Sequence, residues 1–232
     1  MLIMLPAACS TLGPGPGEEP FVAAPIGPGA PQVHRLHAAA ARCDIDALQR
    51  AVSRGDEIDA RDPSSRTALA VACQRNCLEA AVALIAAGAD VHAADSRGTT
   101  PLMQAAGAGS VSCLELLLRH GPDMLATTHE GLDGTHLAAA MGHAECVRRL
   151  LSSGADANRF TLSGRTPLMQ AAEAGHVACV VVLLDHGADV TFQDASGQRA
   201  TDLAAAGVRA SSDPAVQDRY TRVVELLHGG TS

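Results

Sequence analysis

Cys73 and Cys77 stand four residues apart, a spacing that lets one helical face offer two thiolates to a metal ion. His143 and Cys146, three apart, could set a base beside a nucleophile. Neither pair is completed. No second Cys/His pair follows the first at zinc-site spacing, and no phosphate-cradling glycine loop or paired-carboxylate arrangement occurs elsewhere. The residues able to do chemistry are therefore expected to serve structure: no catalytic residue, no metal site and no cofactor.

The elements that carry these residues recur. From Thr166 the chain reads T-P-L-M-Q-A-A-E-A-G-H-V-A-C-V-V-V-L-L-D-H-G. Thr166 can accept a hydrogen bond from a free N–H of the first turn, and Pro167 fits the first helical position, where its missing N–H would have had no partner. Gly175 and His176 interrupt the helix. Val177, Val180, Val181, Leu183 and Leu184 then lay an apolar stripe on a second helix, which Gly187 can end in the left-handed conformation. The unit is a helix-turn-helix pair. Gly55, Gly88, Gly121, Gly154 and Gly187 follow one another at a step of 33 residues, and Thr67, Thr100 and Thr166 obey the same step.

That period, with T-P-L-M at Thr100 and Thr166, G-A-D-V at Gly88 and Gly187 and G-A-D-A at Gly154, resembles the ankyrin repeat family over roughly His34 to Gly229. The resemblance implies an all-α solenoid of about six ankyrin repeats, spanning 32–229, with units near 34–62, 63–95, 96–128, 129–161, 162–194 and 195–229. It also supplies the bland reading of each reactive residue. Cys73 takes a core Ala position. His143 is the turn residue seen again at His176. Cys113, Cys146 and Cys179, each 33 apart, form a buried ladder on the second helices. His37 and His136 align with the histidine of the family's T-P-L-H signature, whose imidazole bridges backbone groups of neighbouring repeats. Asn158 resembles a hairpin Asn that asparaginyl hydroxylases modify in some members, but Ala157 stands where a larger aliphatic residue is usual, so a structural role is favoured.

Composition fits such a stack. Aromatic residues are 2% of the chain and Trp is absent, so the core must come from many small side chains, each repeat burying its face only against its neighbours. The net charge is −8 and every basic residue is Arg, which gives no footprint for nucleic acid or an anionic membrane. No apolar run is long enough to span a bilayer. Helices pack about 8–10 Å apart, too far for a disulfide between ladder rungs. All seven cysteines are accordingly expected as thiols in a reducing compartment, cytoplasmic or nuclear.

The ends and one interior junction depart from the pattern. Residues 1–31, rich in Pro and Gly, are expected to be a disordered or extended leader, and 230–232 a tail. The opening M-L-I-M-L-P-A-A-C-S invites a lipoprotein reading with Cys9 as acceptor, but it lacks a basic n-region and its apolar run is too short. In the first repeat, Arg35, Arg42, Asp44, Asp46, Gln49 and Arg50 suit an outward-facing cap. In the fourth, Asp133-Gly134-Thr135 replaces Thr-Pro-Leu, and Gly121-Pro122-Asp123 replaces Gly-Ala-Asp upstream. The junction between repeats three and four is thus expected to be the softest interior seam. The last repeat carries about nine extra residues around Val208 to Gln217. Its final helix is expected from Pro214 to about His228, with Val223, Val224, Leu226 and Leu227 facing the stack and Gly229 as the closing glycine.

The family resemblance implies that partners are held by the hairpin tips and the exposed face of the first helices, along one concave surface. By register this selects Arg66 and Arg75, then Arg97, then His129, Glu130 and Leu132 before the fourth repeat, Met141 within it, and Phe160, Leu162 and Arg165 after it. Phe160 and Leu162 admit two readings: anchors of an interface, or a cover for the irregular seam. The implied function is a non-enzymatic, monomeric adaptor, scaffold or inhibitor that binds another protein, without nucleic acid or membrane. A second reading makes the chain the substrate-recognition subunit of a multi-protein enzyme complex such as a ubiquitin ligase.

Overall fold

The residues described by the computed structural model are 32–229, and the leader and tail lie outside them. Short polar side chains start the first helices where the sequence places them. Thr67, Thr100 and Thr166 each accept from the backbone N–H three residues on, at 3.3–3.4 Å, and Pro101 and Pro167 follow directly in the first turn. The resulting helices α3 (Ala68–Gln74), α5 (Pro101–Gly107) and α9 (Pro167–Ala174) join α1 (Gln32–Arg42), α7 (Gly134–Met141) and α11 (Ala200–Ala210) in one row. A second row holds α2 (Ile45–Ser53), α4 (Leu78–Ala86), α6 (Val111–Arg119), α8 (Ala144–Ser152), α10 (Val177–Asp185) and α12 (Pro214–Gly229). Each helix packs on its hairpin partner and on its counterpart one repeat away. This is an all-α solenoid of stacked helical hairpins, built among the described residues from twelve helices and no strand.

The five glycines at the 33-residue step end the second helices with φ between 66° and 95°, a left-handed conformation that a side chain disfavours. Between the rows lies a continuous core of Leu, Ala, Val and Cys, in which Leu36, Leu69, Leu114, Leu150 and Leu183 are fully buried.

The C-terminal unit follows expectation in its long last helix, 16 residues, with Val223 and Leu227 fully buried and Val224 and Leu226 packed against the core. Gly229 differs. It is the last residue of α12 and not a left-handed terminator. Gly207, mid-way along α11, admits the ring of Tyr220 from α12, to which a Cβ at that position would approach within 2.4 Å. Tyr220 also donates its hydroxyl to the Glu173 carbonyl at 2.9 Å, fastening α12 to α9.

Two sequence expectations are corrected. Arg35 is not an outward cap residue: its guanidinium grips the buried Asp56 carboxylate through two bonds of 2.8 and 2.9 Å. The cysteines are not all thiols. Cys43 and Cys77 are joined by a disulfide across 34 residues, with Cα atoms 5.3 Å apart. Rungs on facing helices stand too far apart for such a bond, but these two residues occupy the tight turns between helices, where backbones come closer. With that bond, the argument for a reducing compartment no longer holds. Phe160, for which the sequence left two readings open, turns toward the following repeat and packs edge-to-face on Phe192 at 5.0 Å.

Candidate protein interface

The connecting loops are shaped by one polar residue each. Asp62 accepts from the N–H groups of Ser64 and Arg66, Asp95 from Arg97 and Thr99, and Asp194 from Ser196 and Gln198. A hydroxyl substitutes at the ends of the third and fourth repeats: Thr128 accepts from Glu130 and Leu132, and Thr161 from Arg165. Side chains reaching two and four residues along close such turns locally, which makes tip shape a property of the sequence. Neighbouring tips are then linked by single backbone bonds. Ser96 donates to Ser64, His129 to Arg97, Leu162 to Glu130, and Ala195 to Ser163, all at 2.9–3.1 Å. The chain of bonds fixes the tips in one line.

Four of the expected binding residues, Arg97, His129, Glu130 and Leu162, are therefore held in that line and face solvent. Leu162 is 82% exposed and Phe160 50%, while Met141 projects from the end of α7 at 39%. Arg75, at the end of α3, is exposed as well. Leu132 is half-buried. Arg66 and Arg165 are otherwise engaged: Arg66 binds Asp62 at 2.9 Å, and Arg165 pairs with Glu173 and lies 3.5 Å from Asp194. Arg66 thus braces its own loop, and Arg165 ties its loop to α9 and to the next loop. Leu125, 74% exposed, and Phe192 belong to the same loop system but did not stand out in the sequence. Leu125 was recognisable in principle, since the residues one repeat before and after it are the polar His92 and Asn158.

The reactive residues do not converge on a site. Cys77 is bonded to Cys43, while Cys73 faces Cys113, whose hydrogen bond, together with burial, pushes the Cys73 thiol up. The two cysteines thus look in different directions. Cys146 is fully buried, and burial, helped by the charge of Glu145, pushes its thiol up to about 11, far from a nucleophile's range. His143 packs its ring against Gly109. His37 reaches the Arg66 carbonyl at 2.7 Å and His136 the Arg165 carbonyl at 3.1 Å, each bridging to the next repeat. Asn158 does likewise, donating to the Gly187 carbonyl at 3.0 Å and accepting from Asp189 at 2.8 Å. Among the described residues no cluster of three or more His, Cys, Asp or Glu could hold a metal ion, and no helix is long and apolar enough to cross a membrane.

Asp133 anchors the irregular fourth repeat. It accepts from the N–H groups of Thr135 and His136 at 2.8 and 3.0 Å, and its Oδ1 lies 2.9 Å from His136 Nδ1. Burial raises its carboxyl pKa, but His136 and the more distant Arg159 outweigh that and hold it below the ordinary value. Beside it, where Thr135 replaces a leucine, remains a cavity of about 10 Å³ lined by Leu102, Met103, Met124 and Leu150.

Stacked helical hairpins with loops bonded tip to tip define a protein of the solenoid repeat class, in which each unit contacts only its neighbours. The family model described as ankyrin repeats in three copies matches residues 36–128 and 121–194, and the chain belongs to the ankyrin repeat family. Among solved structures it is similar to an ankyrin repeat domain from Acinetobacter baumannii AYE, 33% identical, with a TM-score of 0.70, covering 84% of this chain and 97% of that one. Among curated proteins, none matches its sequence.

Proposed function

We propose that this chain is a non-enzymatic adaptor, scaffold or inhibitor that grips another protein with its hairpin tips and first-helix row. The observation that carries this is the exposure of Leu162, Phe160 and Met141 beside the aligned tips, with Arg97 and His129 further along. Apolar anchors bordered by Arg are what protein interfaces favour. Leu162 holds an aliphatic side chain 82% in solvent, and Phe160, in contact with Phe192, still leaves half of itself exposed. The proposed binding unit runs from 32 to 229 and acts as a monomer without cofactor.

The test is affinity capture with mass spectrometry, comparing the native chain with a Phe160→Ser/Leu162→Ser variant of matched melting temperature. A partner captured by the first and lost by the second supports the reading. Capture that survives the double substitution moves the interface elsewhere, and a large drop in melting assigns both residues to packing.

A further inference from the structure

The turn between the two helices of each repeat holds a left-handed residue followed by the residue that starts the second helix. In the third and fourth repeats the left-handed residue is glycine, and its open side receives a histidine from the next repeat. A Cβ on Gly109 would meet the His143 ring at 2.5 Å, and one on Gly142 would meet His176 at 2.8 Å. His143 lies 34 residues after Gly109, and His176 34 after Gly142. Cys43 and Cys77 occupy this same pair of positions, also 34 apart. The repeat geometry itself therefore aims the side chain of residue 43 at residue 77.

Cys43 has φ 54°, a conformation costly for a residue with a side chain unless a specific contact compensates. The disulfide is that contact. It joins the N-terminal pair α1–α2 to the second repeat, where this pair has its packing neighbours among the described residues. Apart from apolar burial, a hydrogen bond from His37 to the Arg66 carbonyl ties the helix pair to the second repeat, and the loop after α2 adds bonds from the Asp90 N–H to Asp59 and from Arg61 to the Ala94 carbonyl. The bond also has an open end. Cys43 is exposed while Cys77 is 4% exposed, and the remaining described cysteines, Cys73, Cys113, Cys146 and Cys179, are buried.

We propose that Cys43–Cys77 is a thiol–disulfide exchange site for small monothiols, and that its redox state sets how firmly the N-terminal helix pair is docked. A thiolate RS⁻ attacks the exposed Cys43 sulfur, forming a Cys43–SR mixed disulfide and expelling Cys77 as thiolate, which takes a proton. A second RS⁻ attacks the R sulfur, releases Cys43 as thiolate and leaves RSSR. Two monothiols are oxidised to one disulfide as the protein disulfide is reduced to two thiols, and RSSR drives the reverse. Opening the cross-link restores chain entropy to the undocked pair, while Cys43 keeps its unfavourable backbone with nothing in return.

The test equilibrates the full chain with reduced and oxidised glutathione in varied ratio. Peptide mapping after alkylation reads the bond, and amide hydrogen exchange reads residues 35–54. Expected are a Cys43–Cys77 linked peptide under oxidising ratios, its loss as reduced glutathione rises, and exchange in α1 and α2 faster by roughly a hundredfold or more, with α7 to α10 unchanged. A Cys43→Gly/Cys77→His variant, which transplants the pair of the later repeats, should fold and show no glutathione response in α1 and α2. Alkylation of both cysteines in oxidised glutathione overturns the proposal. So does a linked protein whose α1 and α2 exchange at the same rate after reduction, or a variant that keeps the native response.

Discussion

Replacing Asp133 by Ala tests whether the fourth repeat rests on one carboxylate. In the other interior repeats a Thr hydroxyl caps the first helix through a single bond, as at Thr166. Removing such a cap costs about 1 kcal/mol. Asp133 caps two N–H groups and also partners a histidine that is fully buried. Leaving a buried polar group without its partner adds about 1–3 kcal/mol, so Asp133→Ala should lose about 2–4 kcal/mol, two to four times the loss from Thr166→Ala. Urea unfolding of both variants gives the comparison, and hydrogen exchange should place the damage in α7 and at its contact with the Arg165 loop. The pH dependence has a definite sign. A carboxyl whose folded pKa is depressed contributes stability that is complete above its unfolded value, near 4, and is lost as pH falls through the lower folded value. Asp133→Asn keeps a capping oxygen and should remove that acid-sensitive share. Equal losses for Asp133→Ala and Thr166→Ala, or an acid profile unchanged in Asp133→Asn, would refute the assignment.

Two further substitutions probe places where small residues were accepted for different reasons. Gly134 stands where Pro101 and Pro167 stand in neighbouring repeats, follows a residue with extended backbone at φ −101° and ψ −176°, and has at least 3.4 Å around a would-be Cβ. Gly134→Pro should therefore stabilise the seam by about 0.4–1 kcal/mol and slow amide exchange across α5 and α7; a destabilised variant, or protection already uniform across the native seam, would remove the reason for calling it soft. Gly207→Ala, which in an ordinary helix interior gains about 1 kcal/mol, should instead destabilise, because its methyl would press into the Tyr220 ring. Tyr220→Ala should relieve most of that clash in a double-mutant cycle, and strict additivity would disprove the contact.

The architecture was legible because its causes are local and repeated. A capping Thr, a Pro at the first helical position and a glycine at each second-helix end act within a few residues of themselves, and a fixed step copies them down the chain. The same register placed His37 and His136 in bridging roles, while the bridge that Asn158 makes to the next repeat came only from the structure. The tips could be located for that reason too, although which of their residues are free could not. Arg66 and Arg165 read like Arg97, yet the first two close tight ion pairs with Asp62 and Glu173, while Arg97 lies 3.9 Å from Asp95 and is 59% exposed.

What the sequence alone determined is thus whatever one repeat does to itself or repeats in register: helix limits, turns, the cysteine ladder and the order of the stack. Tertiary structure decided which side chains meet at positions that the register only brings near one another. The Cys43–Cys77 bond joins the two positions that hold glycine and histidine between the third and fifth repeats, the Tyr220 ring enters the gap left by Gly207, and Phe160 meets Phe192 from one tip to the next. Each depends on the distance between side chains of facing elements. Periodicity fixes which layers are adjacent, and only packing fixes which atoms meet.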